Sequence, residues 1–169
     1  MRRSRTLSFE TLCDRRVLEN HAPVLDTTTH PNLTPAIVDN EFSNGTRVSD
    51  FAGSRTSDPD AAAVKGIAII GLTERFKGRW AYSTDGGGSW TSLGNGFTDD
   101  PYEGAPPSDE AALVLGPNDR VLFTPQGGYV GIPQLKFRAW DQTDGAARGA
   151  IVDISDDIGG GGCLQQRIP

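Results

Sequence analysis

Cysteine and histidine are scarce in this sequence of 169 residues. Cys13 and Cys163 stand in opposite tails, and the two histidines, His21 and His30, lie early and near prolines. That scarcity excludes a disulfide framework and a Cys/His zinc site, so two free thiols and two solvated loop histidines are the expectation. No apolar run approaches the roughly 20 residues that a membrane-spanning helix needs. No G-x-S-x-G, H-E-x-x-H or phosphate-binding glycine loop occurs, which removes the nucleophile elbow, the zinc protease and the P-loop. Positive charge is short as well. The formal net charge is −6 although Arg2, Arg3, Arg5, Arg15 and Arg16 crowd the first residues. The remainder is therefore more acidic than the total, which weighs against nucleic acid and anionic membranes as partners. No internal repeat is found.

What the chain does hold is 21 glycines and 11 prolines, a composition suited to many turns between short strands. Gly66 to Leu72 is almost continuously apolar, as in a strand buried on both faces. Ala111–Leu115 and Arg120–Thr124 flank the turn Gly116-Pro117-Asn118-Asp119. Gln134 to Trp140 alternates, with Leu135, Phe137 and Ala139 on one face and Lys136, Arg138 and Trp140 on the other. Short strands at such intervals predict an all-β, antiparallel β-sandwich. The expected organisation is a helical or disordered, targeting-like segment over 1–21, a sandwich over 22–158 and a flexible tail over 159–169.

The segment Gly78-Arg-Trp-Ala-Tyr-Ser-Thr-Asp-Gly-Gly-Gly-Ser-Trp-Thr91 reads as a β-hairpin. Trp80 and Tyr82 share a face of the first strand, Trp90 opens the second, and Asp85-Gly86-Gly87-Gly88 supplies the turn. Ser83-x-Asp85-x-Gly87-x-Ser89-Trp90 resembles the Asp-box of sialidases and other β-propellers, a structural hairpin that holds no catalytic residue in that family. One box in this length cannot build a propeller. The acidic pairs Asp99-Asp100 and Asp109-Glu110 lie in a loop without an apolar pocket signal to raise a carboxyl pKa, so they read as solvated rather than as glycosidase acids. No enzyme is expected.

Three further segments stand in order around the hairpin: Gly66-Ile-Ala-Ile-Ile-Gly71 before it, then Arg120-Val-Leu-Phe-Thr-Pro125 and Phe137-Arg-Ala-Trp-Asp-Gln142 after it. Together they resemble a cadherin-like (Ig-like β-sandwich) repeat of very large bacterial surface and secreted proteins, over about residues 22–152. Near the start, Leu7, Phe9, Glu10, Leu12, Arg15 or Arg16, and Leu18 resemble an N-terminal motif of large exported planctomycete proteins. The cadherin resemblance implies a structural or adhesive module, secreted or at the cell surface, whose partners are other surface-protein repeats or cell-surface glycans. It also implies calcium, with Glu41, Asp58, Asp60 and Asp141 at the positions of the family's ligands. Calcium takes about 6–8 oxygens, and clustered carboxylates repel unless a cation neutralises them. The D-x-N-D-N linker of such sites is absent at both ends, and solvated turn aspartates are the other reading of the same residues. Two alternatives to the adhesive module stand beside it. One is a carbohydrate-binding module using Trp80, Tyr82 and Trp90, and the other is a fragment of a larger adhesin.

Overall fold

A computed structural model describes residues 21–28, 33, 44–60, 64–93, 107–155 and 166–168. Among them the chain forms strands β1 (Val24–Leu25), β2 (Thr46–Arg47), β3 (Thr56–Ser57), β4 (Gly66–Leu72), β5 (Gly78–Ser83) and β6 (Thr91–Ser92). Strands β7 (Ala112–Leu115), β8 (Arg120–Pro125), β9 (Leu135–Trp140), β10 (Ile151–Val152) and β11 (Gln166–Ile168) follow, and a π-helical turn spans Ser49–Gly53. Every pairing is antiparallel. A five-stranded sheet runs β10-β7-β4-β9-β11, a four-stranded sheet runs β2-β8-β5-β6, and β1-β3 is a short ribbon. The expected all-β sandwich is what the chain forms. The segment 1–20, which carries the residues that resemble an exported-protein motif, lies outside the described residues. Within the segment expected as a flexible tail, residues 166–168 pair with β9, where a strand answers the otherwise open edge of the sheet.

The alternation read from the sequence sets the core. Leu135, Phe137 and Ala139 are fully buried, together with Ile67 and Ile69 of β4, Leu113 and Leu115 of β7, and Trp80, Val121 and Phe123 from the other sheet. Phe51 on the π-helical turn meets Phe137 edge-on at 5.7 Å, and Trp80 packs on Phe123 at 4.9 Å. Each such side chain contributes roughly 1.5–3 kcal/mol by leaving water. The outer face of the five-stranded sheet carries a second cluster of Ala68, Ile70, Ala112, Val114, Trp140 and Ile154. Strand β4 is therefore buried on both faces, as its unbroken apolar run predicts. Trp140, opposite in direction to Phe137, is also covered: residues 146–154 fold over it.

Register fixes two ends. Gly66 lies opposite Trp140, and Ser83 lies opposite Arg120. The 84–90 turn, the 116–119 turn, the residues before β4 and those after β9 consequently share one end, the hairpin end. At the opposite end, the connection 73–77 meets the connection 126–134. Thr73 N–H donates to the Gln134 carbonyl at 2.9 Å, Gln134 N–H to Thr73 Oγ1 at 2.7 Å, and Gln126 N–H to the Lys77 carbonyl at 2.9 Å. Among the described residues no helix is long and apolar enough to cross a membrane.

Candidate functional site

At the hairpin end the Asp-box-like turn is closed by its own side chains. Ser83 Oγ donates to Asp85 Oδ1 at 2.7 Å and accepts Gly87 N–H at 2.8 Å. Ser89 N–H donates to Asp85 Oδ1 at 2.9 Å and Ser89 Oγ to Asp85 Oδ2 at 2.7 Å. These bonds, with the Ser89 side chain the strongest, hold the Asp85 carboxyl far below the usual carboxylate range. A group so firmly ionised cannot donate a proton, so Asp85 forms the turn and supplies no acid. Gly86 and Gly87 take φ of 80° and 106°, which side chains resist.

The hairpin aromatics do not form one platform. Trp80 is 1% exposed and its Nε1 donates to the Thr73 carbonyl at 2.9 Å, so it has no face to offer a sugar. Tyr82 is half-buried against the core. Trp90 is half-buried over Gly45, where an added Cβ would lie 2.6 Å from the Trp90 Cη2 atom. The indole packs there because Gly45 has no side chain.

The four residues that the cadherin-like resemblance would assign to calcium fare differently. Glu41 lies outside the described residues. Asp58 Oδ1 accepts Asp60 N–H at 2.8 Å, while its Oδ2 is buried without a hydrogen-bond partner among the described residues. Asp60 is engaged by His21, whose backbone N–H donates to Oδ2 at 2.6 Å and whose Nδ1 lies 3.2 Å from Oδ1. The backbone bond from His21 is the main cause of a lowered Asp60 pKa. His21, expected as a solvated loop residue, is thus held by the β1-β3 ribbon against a carboxylate. Asp141 Oδ1 accepts Thr143 N–H at 3.0 Å and Thr143 Oγ1 at 2.8 Å. The three aspartates lie in the connections before β4 and after β9, yet Asp58 and Asp141 each cap their own turn and Asp60 is taken up by His21. Among the described residues no three of His, Cys, Asp and Glu gather as a metal site. The orphaned Asp58 oxygen fits a cation; Asp60 and Asp141 are already hydrogen-bonded.

The turn 116–119 proves more than a plain turn. Asp119 is fully buried, accepts Gly116 N–H at 2.6 Å through Oδ2, and pairs with Arg148 Nη1 at 2.6 Å through Oδ1. Asp109, in the acidic loop, pairs with Arg138 at 2.8 Å, and Glu110 accepts Ser108 Oγ at 3.2 Å. Asp99 and Asp100 lie outside the described residues.

The opposite end contains a pocket of about 460 Å³ that sequence reasoning missed. Glu74, Lys77, Gln126, Gly128, Tyr129 and Val130 are among its lining residues. Glu74 is in the left-handed region, φ 56°, where a non-glycine residue is uncommon. Neither the Glu74 nor the Lys77 side chain has a hydrogen bond or ion pair among the described residues. The Tyr129 hydroxyl is buried against Gly131 with no hydrogen-bond partner, and burial, then the nearby Glu74 charge, raises its pKa. The glycines of Gln126-Gly127-Gly128-Tyr129-Val130-Gly131 were the one available sequence signal. No family model, curated protein or solved structure matches the chain.

Proposed function

We propose that the chain is a non-enzymatic structural or adhesive module of an exported or cell-surface protein, spacing or joining neighbouring repeats. The observation that carries this reading is the coincidence of resemblance and architecture. The segments that resemble a cadherin-like repeat, Gly66–Gly71, the hairpin from Gly78, Arg120–Pro125 and Phe137–Gln142, fall on or overlap β4, β5, β8 and β9, the four longest strands among the described residues, which lie at the centre of both sheets. The Asp-box-like carboxylate is taken up by the bonds of its own turn.

The same reading assigns calcium to the hairpin end, with Asp58 as the first ligand through its unpartnered oxygen. A hard cation there takes oxygen donors and stiffens the turns that carry them. The test is thermal melting in millimolar calcium and again in chelator, with bead aggregation by the immobilised protein read in parallel. A higher melting temperature in calcium, lost in Asp58→Asn, is expected. An unchanged melting temperature removes calcium from the reading, and beads that stay dispersed in both conditions remove adhesion between copies.

A further inference from the structure

We propose that the pocket between the 73–77 and 126–134 connections is a saccharide site, taking a neutral polyhydroxylated ring between Glu74 and Lys77. It lies at the end of the sandwich away from Trp90, and it stands independently of the structural role proposed above. The pocket, about 460 Å³, falls within the range of small-molecule sites, roughly 300–1,000 Å³.

The donor and acceptor inventory selects the ligand class. Glu74 is an acceptor only, Lys77 is a donor only, and the Gln126 side chain is both. None of the first two is satisfied by a neighbour among the described residues. A ligand whose every polar group both donates and accepts can answer all three, which is the chemistry of vicinal hydroxyls. An anion would meet Glu74 and a cation would meet Lys77; the two charges cancel, and a neutral ligand leaves neither opposed. Glycines at 127, 128 and 131 let backbone approach the ligand closely. Gly128, at φ 80°, turns the loop, and Tyr129 N–H closes it on the Gln126 carbonyl at 3.0 Å.

The lining also includes an apolar side chain, Val130, and the two connections expose others nearby. Phe76, Val130 and Ile132 are 75%, 96% and 66% exposed and belong to the same two connections. Arg75 lies 6.0 Å from the centre of the Phe76 ring. Val130 beside polar side chains that have no protein partner among the described residues matches a ring with C–H faces and hydroxyl edges. The two connections are joined by the Thr73–Gln134 and Lys77–Gln126 bonds, and Tyr129 is anchored on Phe123 at 6.0 Å. The site is thus held by the sandwich, and the strained Glu74 backbone sets where its carboxylate stands.

The experiment is calorimetric and NMR titration of the full chain with methyl glycosides of glucose, galactose, mannose and N-acetylglucosamine, and with cellobiose and lactose. Sodium acetate, methylammonium chloride and phosphatidylserine vesicles serve as charged and membrane probes. Saturable binding of at least one sugar is expected, with a Kd on the order of 1 mM. Glu74→Ala and Lys77→Ala should each weaken it about tenfold or more. Ile151→Thr, on the exposed side of β10, should bind as the parent does. Both pocket side chains are exposed, so the variants should keep the parent's amide spectrum. Silence across the sugar panel overturns the proposal, as does binding that survives both pocket substitutions. Tighter binding of acetate or methylammonium than of any sugar also overturns it. Vesicle binding lost in Val130→Ser, with the sugars silent, replaces it with membrane contact.

Discussion

Apart from the unpartnered Oδ2 of Asp58, the two ends of the sandwich treat their acidic side chains in opposite ways. At the hairpin end Asp85, Asp119, Asp60 and Asp141 each accept hydrogen bonds from within the fold. At the other end the Glu74 and Lys77 side chains line a pocket and have no hydrogen bond or ion pair among the described residues, with three exposed apolar side chains on the same connections. A carboxylate tied to amides and hydroxyls holds a turn in shape and has little left for a partner. A carboxylate left unbonded, on a residue in a strained backbone conformation, adds no evident stability. Richness in acidic residues therefore says little about where contact occurs; the satisfaction of those residues says more.

The largest effect expected from breaking this contrast is at Asp119. Asp119→Ala leaves Gly116 N–H without its acceptor and the half-exposed Arg148 without its partner, and should cost roughly 1–3 kcal/mol in urea denaturation. Its counterpart at the other end, Glu74→Ala, should stay within about 0.5 kcal/mol. Near-equal losses at the two positions would abolish the distinction between the ends.

A smaller effect is expected at Asp85, and it carries a pH signature. Its hydrogen bonds lower the folded-state pKa below the ordinary 3.8. The stability they give is therefore complete above the unfolded pKa and is lost as pH falls through the lower folded value. Melting temperatures taken from pH 7 down to about pH 2.5 should fall in the acid range for the parent. Asp85→Asn should start lower at pH 7 and fall less steeply. Identical slopes would show that the turn does not depend on the charge.

The smallest effect is expected at Glu74 itself. Glu74→Gly relieves the left-handed backbone but frees the unfolded chain, and the balance should raise stability by less than about 1 kcal/mol. The same variant should lose sugar binding. Gain of stability with loss of binding would mark Glu74 as a residue retained for contact, and a marked loss of stability would return it to architecture.

The central strands and the hairpin were legible because their determinants are local. Alternation in Leu135–Trp140, the unbroken apolar run of Gly66–Leu72, and serine and aspartate spaced to close a turn all act within a few residues. The features that were not legible depend on tertiary closure. Arg148 reaches Asp119 because the segment before β10 folds over β7. His21 reaches Asp60 because β1 pairs with β3. Trp140 is buried by residues 146–154, which composition alone did not mark as a cover. The pocket arises from two connections brought together by pairing of β4 with β9 and of β5 with β8. Nothing in the spacing of Glu74 from Gln126 announces that meeting.

The position of β4 has a consequence for how the chain acquires its shape. It is the middle strand of its sheet, yet both of its partners, β7 and β9, follow β5 and β6 in the chain. During synthesis Gly66–Leu72 emerges long before either edge of it can be paired. Such non-local pairing slows folding, because the intervening chain must be closed into a loop before any bond rewards it. Until then the most apolar stretch of the sequence stands bare on both faces and both edges, a template for neighbouring chains. Refolding yield should accordingly fall as protein concentration rises, and the hazard should centre on β4 rather than on the exposed side chains of the finished surface.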